Sequence, residues 1–355
     1  MKNKQLRILH APIIACNQAA ELSRALDLIP NVESDYMIFG DKKDEWHISS
    51  GIDINLRLEG RNKFMKALVQ GGFFLWAANH YDVFHFHSHI SLLHPTHWDI
   101  PILKKFGKKI LMSYWGCDVR TKTASQKHDI SICQQCPSLD CRESWKAKEI
   151  SYFHENADLQ VVHMPESLEF VPDSVYIPTS VNIDYWRPPI EEEAESLKLK
   201  DDVVRIMHPV GNSSFRGNMK GTEFVKKAVE TLKKEGLNVD FLFYDQQAHK
   251  EMRNNYWNAD VVVEQLYAGW HGSTGLEGMA CGRPVMTYLR PDLIKYKADI
   301  PIISVTEKTL TDELRKLVKS KKLREEIGQK SREYVLKYHD SGKVAKDMLE
   351  IYKSL

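Results

Sequence analysis

The 355-residue sequence has no apolar run long enough to cross a bilayer. Its longest candidate, 71–78 with its flanks, covers about a dozen residues, where a spanning helix needs about 20. Nor does an apolar stretch follow the charged start Met1-Lys-Asn-Lys-Gln, which runs directly into a strand at 6–10. A secretory leader is therefore not expected, and the chain is expected in the cytoplasm. Six cysteines over this length are too few for a disulfide framework. Charge of either sign is also not in excess: 49 basic and 48 acidic residues leave a formal net charge of +1. That balance offers no field for nucleic acid and no acidic tail. Low-complexity tracts and internal repeats are lacking, which excludes a solenoid.

What is present is an alternation of short apolar runs and helical periodicities, in a chain long enough for two domains. A strand at 6–11, a helix at 19–28 and a strand at 35–40 open a β-α-β unit. Residues 41–60 are polar and irregular. An amphipathic helix at 62–78, a strand at 83–87, a helix at 100–106 and a strand at 108–114 continue the rhythm. A helix ending at 156 and strands at 159–163 and 175–177 follow. Residues 178–189 carry three prolines and lead into the charged stretch 191–202, which reads as an interdomain linker. The rhythm restarts with a strand at 204–207, a helix at 222–235, a strand at 239–244 and a helix at 249–258. Helices at 309–320, 323–338 and 341–355 close the chain. This order predicts an α/β fold of two parallel-sheet domains facing a central cleft. Ligands in such sheets sit at the carboxyl ends of the strands.

The most informative stretch is 260–286, a strand at 261–263, a glycine loop, a helix at 275–282 and a strand begun by Arg283-Pro284. Gly269, Gly272 and Gly275 fall within seven residues. A glycine loop at a helix N-terminus leaves backbone N–H groups free for an anion, and Gly272, Ser273 and Thr274 line that loop beside Gln265. Glu277, read as lying in the first helical turn, could accept hydrogen bonds from ligand hydroxyls. The alternative is an ordinary crossover with glycines for close packing. Arg216 and Lys220 precede another helix start at Gly221-Thr222, and two cations there form a diphosphate clamp. Their alternative is a solvated surface loop.

With these motifs the chain resembles the retaining GT-B glycosyltransferases of the glycogen-synthase-like glycosyl transferases group 1 family. The resemblance rests on Ile177-Pro-Thr-Ser-Val-Asn-Ile-Asp184, similar to the family's PNGVD element, and on Lys220-Gly221, similar to its KG element. It rests most specifically on Gly275-Leu-Glu-Gly-Met-Ala-Cys-Gly-Arg-Pro-Val285, similar to LEAMACGTPV. The resemblance implies two Rossmann-like domains: an acceptor side at 1–185, a nucleotide-sugar side at 186–338, and a final helix at 339–355 crossing back to the first domain. It implies sugar transfer from a nucleotide-sugar donor, with Arg216 and Lys220 on the diphosphate and Glu277 on the ribose, and no cofactor required for catalysis. The acceptor, a glycan or a lipid-linked or small molecule, is expected against Asn17, His87 and Trp115. A lipid-linked acceptor would bring the chain to the inner face of the membrane as a peripheral contact, with the basic helices at 309–338 as the candidate surface.

Two departures stand out. The family's first glutamate would fall at Gly269, and the nearest upstream acid is Glu264. Where the family often has HG-x-D, this chain has Trp115-Gly116-Cys117-Asp118. The remaining catalytic candidates are Asp118 and Arg120 on one side and Glu264 and His271 on the other. Asp118 could equally cap its own turn. These departures keep two alternatives open, a nucleotide-sugar-binding protein without catalysis and a nucleotide-sugar epimerase. His85, His87 and His89 alternate along a strand end; strand-end histidines are more often structural than ligands, and no carboxylate partner is evident. Cys133, Cys136 and Cys141, spaced C-x2-C-x4-C, either hold a structural zinc with Cys117, His128 or His154 as fourth ligand, or are reduced thiols in a turn.

Overall fold

A computed structural model describes residues 5–13, 17–40, 51–138, 140–197, 202–211, 219–296 and 299–355. In chain order the elements begin with β1 (Leu6–Ala11), α1 (Gln18–Asp27), β2 (Val32–Ile38), β3 (Ile54–Asn55), α2 (Lys63–His80) and β4 (Val83–His87). Next come α3 (Asp99–Lys105), β5 (Lys109–Tyr114), α4 (Lys122–Ser125), α5 (Glu143–Asn156), β6 (Leu159–Val162) and β7 (Val175–Tyr176). The second half holds α6 (Glu191–Ser196), β8 (Val204–Val210), α7 (Thr222–Lys234), β9 (Val239–Asp245), α8 (His249–Asn258) and β10 (Val261–Gln265). It finishes with α9 (Ser273–Ala280), β11 (Val285–Thr287), β12 (Ile303–Ser304), α10 (Leu310–Lys319), α11 (Lys321–Tyr338) and α12 (Ser341–Ser354).

Two compact units result. Unit 1 comprises 1–120, 142–180 and 341–355; unit 2 comprises 121–141 and 181–340. The segment 121–141, read as part of the first domain, goes with unit 2, because Ile130 and Ile132 pack against that unit's core. The proline-rich stretch is not a free linker. Val181 bridges Asp340, Trp186 is buried in a core of unit 2, and Arg332 binds the carbonyls of Ile183 and Trp186. The charged stretch after it forms α6, where Glu193 accepts from the Ile190 N–H and pairs with Arg187.

Unit 1 is built on a parallel sheet of order β3-β2-β1-β4-β5-β6-β7. One face buries Phe84, Phe86, Ile110 and Met112 under α2, α3 and α5. The other buries Ile8, Val83, Leu111 and Val161 under α1 and the terminal helix α12, through Val344, Met348 and Tyr352. Unit 2 has a parallel sheet of order β12-β11-β10-β8-β9. Strands buried on both faces account for the unbroken run Val261–Val263. Helix α10 turns Leu310, Leu314 and Leu317 inward. Two of its cations are engaged on the surface, Arg315 with Glu235 and Lys316 with Glu313. No helix among the described residues is long and apolar enough to cross a membrane.

Candidate functional site

In a doubly wound sheet a crevice opens where the strand order reverses, beyond the carboxyl ends of the two strands involved. In unit 2 the reversal lies between β8 and β10, which pair through Ile206–Val261 and Met207–Val262. The chain leaves β8 toward Lys220 and leaves β10 at Glu264-Gln265. Topology alone therefore brings together two stretches singled out in the sequence. His208 ties them: its Nδ1 is 2.7 Å from the Val263 carbonyl and its Nε2 is 3.0 Å from Thr222 Oγ1. Burial holds His208 neutral, with its pKa lowered to about 4. Nδ1 therefore donates to the carbonyl and Nε2 accepts from the hydroxyl.

Lys220 is buried, its Nζ donating to the Pro209 carbonyl (3.0 Å) and lying 3.4 Å from Thr274 Oγ1. Thr274 Oγ1 donates in turn to Glu264 Oε1 (2.9 Å), which also accepts the Gly272 N–H (2.9 Å). Glu264 is 1% exposed, and its Oε2 has no hydrogen-bond partner among the described residues. Burial raises its pKa, opposed by Lys220 and by the bonds from Thr274 and the loop amides. The glycine loop thus already carries an anion at the start of α9: an internal carboxylate occupies part of the site expected to be left to a ligand. Glu264 locks this loop to Lys220, which the sequence spacing did not reveal.

The glycines answer to that arrangement. A Cβ on Gly275 would lie 2.2 Å from Glu264 Oε2, and one on Gly221 (φ +81°) would lie 2.6 Å from Leu266. Gly275→Ala is expected to lower the stability of unit 2 by about 2 kcal/mol, as overpacking typically does. A urea midpoint equal to wild type would show that the loop can yield. Gln265 donates from Nε2 to the Trp270 carbonyl (3.0 Å), shaping the same loop. His271 is buried and neutral, its pKa lowered to about 3 by burial and by His339, on which its ring packs edge-on.

Helix α9 begins at Ser273, so Glu277 stands in the second turn rather than the first. Tyr256 of α8 donates to its Oε2 (3.0 Å), and His249 Nε2 lies 3.5 Å from its Oε1. Arg216 lies outside the described residues.

In unit 1 the strand order reverses between β1 and β4, and the expected acceptor-side residues collect there. Asn17 takes a left-handed backbone before α1 and donates to Glu21 (3.0 Å). His87 ends β4. Trp115 follows β5, stacks on His163 with centroids 3.8 Å apart and donates from Nε1 to His87 Nδ1 (3.2 Å). Behind them lie His10, His85, Ser113 and Tyr352, whose grouping only the sheet register (His10 beside His85) and the return of α12 produce.

The proton positions follow from the partners. Because Trp115 N–H donates to His87 Nδ1, neutral His87 carries its proton on Nε2. That proton faces His10 Nδ1 at 3.4 Å, so His10 is protonated on Nε2, a buried atom with no partner among the described residues. His163 Nδ1 donates to the Ile177 carbonyl (3.1 Å), leaving Nε2 to accept from Ser113 (3.0 Å). Ser113 then accepts from His85 Nε2 (2.6 Å), and His85 Nδ1 accepts from Tyr352 (2.6 Å). Burial depresses all four: His10 and His163 to about 3, and His85 and His87 well below the usual range. The rings of His10, His85 and His87 do place nitrogens within 4.8 Å of one another. Metal ligation through His87 Nε2 would move its proton to Nδ1, against the Trp115 N–H. The geometry is that of two hydrogen-bonded chains, Trp115–His87–His10 and Tyr352–His85–Ser113–His163, in ring contact with each other.

Asp118 accepts from the N–H groups of Trp115 (2.9 Å) and Gly116 (2.7 Å) and from Ser88 Oγ (2.8 Å), closing its own turn. Arg120 pairs with buried Glu166 beneath Gly116. Both side chains build the loop that presents Trp115. Cys133, Cys136 and Cys141 are half-buried in the segment 121–141. They are not among the described side chains gathered within 4.8 Å of one another. Lys122 donates to the Cys136 carbonyl (3.0 Å), and His128 Nε2 accepts from Arg290 (2.9 Å).

No protein-family model matches the chain, and none of the curated proteins does. Solved structures match over its whole length. The sucrose-phosphate synthase tll1590 of Thermosynechococcus elongatus is 17% identical with a TM-score of 0.67, over 98% of both chains. Anabaena Alr3699/HepE, crystallised with UDP and glucose, is 12% identical with a TM-score of 0.65, over 98% of this chain and 99% of that one. UDP-GlcNAc 2-epimerase of Neisseria meningitidis, bound to UDP-GlcNAc, is 11% identical with a TM-score of 0.58, over 99% and 100%. The fold is GT-B: two Rossmann-like units, each on a parallel sheet.

Proposed function

We propose that this chain is a glycosyltransferase that takes a nucleotide sugar on unit 2 and transfers the sugar, with retained configuration, to a hydroxyl-bearing acceptor received by unit 1. The observation that carries the reading is the buried Lys220 at the β8/β10 reversal, joined through Thr274 to the N-terminus of α9. A cation and helix amides fixed in place before a ligand arrives suit a leaving diphosphate, and such preorganised charge is worth several kcal/mol in a transition state. Solved proteins of the same fold that hold UDP or UDP-glucose support a nucleotide-sugar donor. Lys220 and Arg216 neutralise the diphosphate as the glycosidic bond lengthens and positive charge builds on the sugar. Glu277, oriented by Tyr256, receives the ribose hydroxyls.

A second reading is favoured by one observation. The position of the family's first glutamate is Gly269, so the acid expected beside the transferred sugar is missing, and an epimerase of this fold is among the structural matches. Melting curves with UDP, GDP, ADP and their sugars should show stabilisation by one nucleotide class, by about 2.7 kcal/mol at a ligand concentration 100 times its Kd. Proton NMR of the stabilising nucleotide sugar then separates the readings. Free nucleoside diphosphate and a glycosylated acceptor support transfer, whereas a new sugar resonance still attached to nucleotide, without acceptor, supports epimerisation. Stabilisation by none of the nucleotides would remove both.

A further inference from the structure

Cys133 and Cys136 lie on a stretch of consecutive i→i+3 bonds. The N–H groups of Gln134, Gln135 and Cys136 donate to the carbonyls of Ser131, Ile132 and Cys133 at 3.1, 3.2 and 3.3 Å. Ser131 caps its start, its Oγ accepting the Cys133 N–H (3.2 Å). Such bonding is that of a 3₁₀ turn, in which the side chains at i and i+3 eclipse. A rise of about 2.0 Å per residue then sets their Cα atoms about 6 Å apart. A disulfide needs Cα atoms about 4.4 to 6.8 Å apart. Both cysteines are in the thiol form and only half-buried, so a small oxidant reaches them. Among the described residues no third His, Cys, Asp or Glu joins the two sulfurs in a group whose ligand atoms all lie within 4.8 Å of one another. The turn thus supplies a pair of thiols rather than the four ligands of a structural zinc.

The turn is fastened to the glycine loop. Gln134, between the two cysteines, donates from Nε2 to the His128 carbonyl (2.8 Å) and accepts the Ser131 N–H at its Oε1 (3.3 Å). His128 Nε2 accepts from Arg290 (2.9 Å), and the Arg290 N–H donates to the Gly269 carbonyl (2.9 Å). Ile132, next to Cys133, packs on the core of unit 2. We propose that Cys133 and Cys136 are a reversible dithiol–disulfide pair, a modification site whose closure stiffens the 128–136 turn and, through His128 and Arg290, the glycine loop at Gly269. The oxidant is a disulfide of a small thiol, such as oxidised glutathione. The thiolate of one cysteine attacks a sulfur of that disulfide, and the proton it gave up goes to the departing glutathione thiolate. The second cysteine then attacks the mixed disulfide, releases the second glutathione and gives up its proton in the same way. Two electrons pass from the protein thiols to the oxidant, which leaves as two thiols.

Incubation of the full chain with oxidised glutathione tests the proposal without any nucleotide sugar, so its outcome is independent of the transfer reaction. Intact mass should record the loss of two hydrogens, and peptide mapping should place the new bond between Cys133 and Cys136. Dithiothreitol should reverse it. Cys141→Ser should close the same bond, whereas Cys136→Ser should stop at a mixed disulfide of Cys133 with glutathione. In hydrogen exchange the oxidised chain should protect the amides of 128–136 and 266–272 more than the reduced one. Failure to form an internal bond overturns the proposal, as does a bond that recruits Cys141 in place of either residue. One equivalent of zinc held by these thiols in the purified protein would overturn it too, by assigning them to a metal. Closure with unchanged exchange at 266–272 would overturn the link to the glycine loop.

Discussion

Lys220→Ala should lower turnover by about two orders of magnitude and, separately, destabilise unit 2 by about 3 kcal/mol. The first effect follows from the proposed function, in which Lys220 is a fixed cation at the leaving diphosphate. The second comes from Glu264. Its carboxylate is 1% exposed and depends on Lys220, Thr274 and the Gly272 amide for stabilisation. Without the ammonium group a buried charge is left poorly compensated, and it will be held only by taking up a proton. Glu264→Gln in the Lys220→Ala background keeps the hydrogen-bond acceptor and removes the charge, so it should restore most of the urea midpoint and none of the turnover. A non-zero coupling of the two substitutions in stability is the signature of this network. Wild-type kinetics in Lys220→Ala would sink the clamp assignment; a melting curve unchanged by it would sink the link to Glu264.

Acid should unfold the protein well before its surface carboxylates titrate. His10, His163 and His271 have pKa values lowered from 6.5 to about 3, and His208 to about 4, because each ring is buried. Their folded forms are neutral, whereas the unfolded chain takes up protons near pH 6.5. The stability they confer is therefore complete above that pH and is lost as the pH falls toward 4 and below. At pH 5 each contributes about 2 kcal/mol less than at neutrality, and four together approach the whole stability of an ordinary domain. Glu264 and Asp99 act in the opposite direction, since burial raises their pKa and eases protonation in the folded state. The net decline is smaller than the histidine sum but keeps its sign. Urea midpoints at pH 7.5, 6 and 5 should fall steadily, and His163→Gln should flatten the slope while lowering stability at pH 7.5. A midpoint independent of pH across that range would contradict the neutral, buried network.

The histidines also show where reading the sequence stops. His85 and His87 drew attention by their alternation, yet their partners lie far away in the chain: Trp115, Ser113, His163 and Tyr352. No local periodicity predicts that the last helix will return a tyrosine to the first sheet. Asp118 and Arg120 were legible as charged residues after a strand. The folded loop directs one to its own amides and the other to Glu166. Helix α2 reads as amphipathic from its spacing; that Phe74 is buried while Phe64, Leu68 and Leu75 are exposed is set by the packing of the folded unit.

The sequence by itself determined the alternation of strands and helices, the parallel sheets, and the glycine loop and lysine that start two helices. These are local matters: side-chain periodicity, backbone freedom at glycine, and helix-start chemistry act over a few residues. Only the tertiary structure decided that Glu264 accepts the glycine-loop amide, that the buried histidines fall into two hydrogen-bonded chains, and that the 121–141 segment joins unit 2. Each of these depends on which strands become neighbours and on how deeply a polar group is buried. Both are properties of the packed whole, because burial and long-range pairing set the energy of a charge and no single stretch contains them.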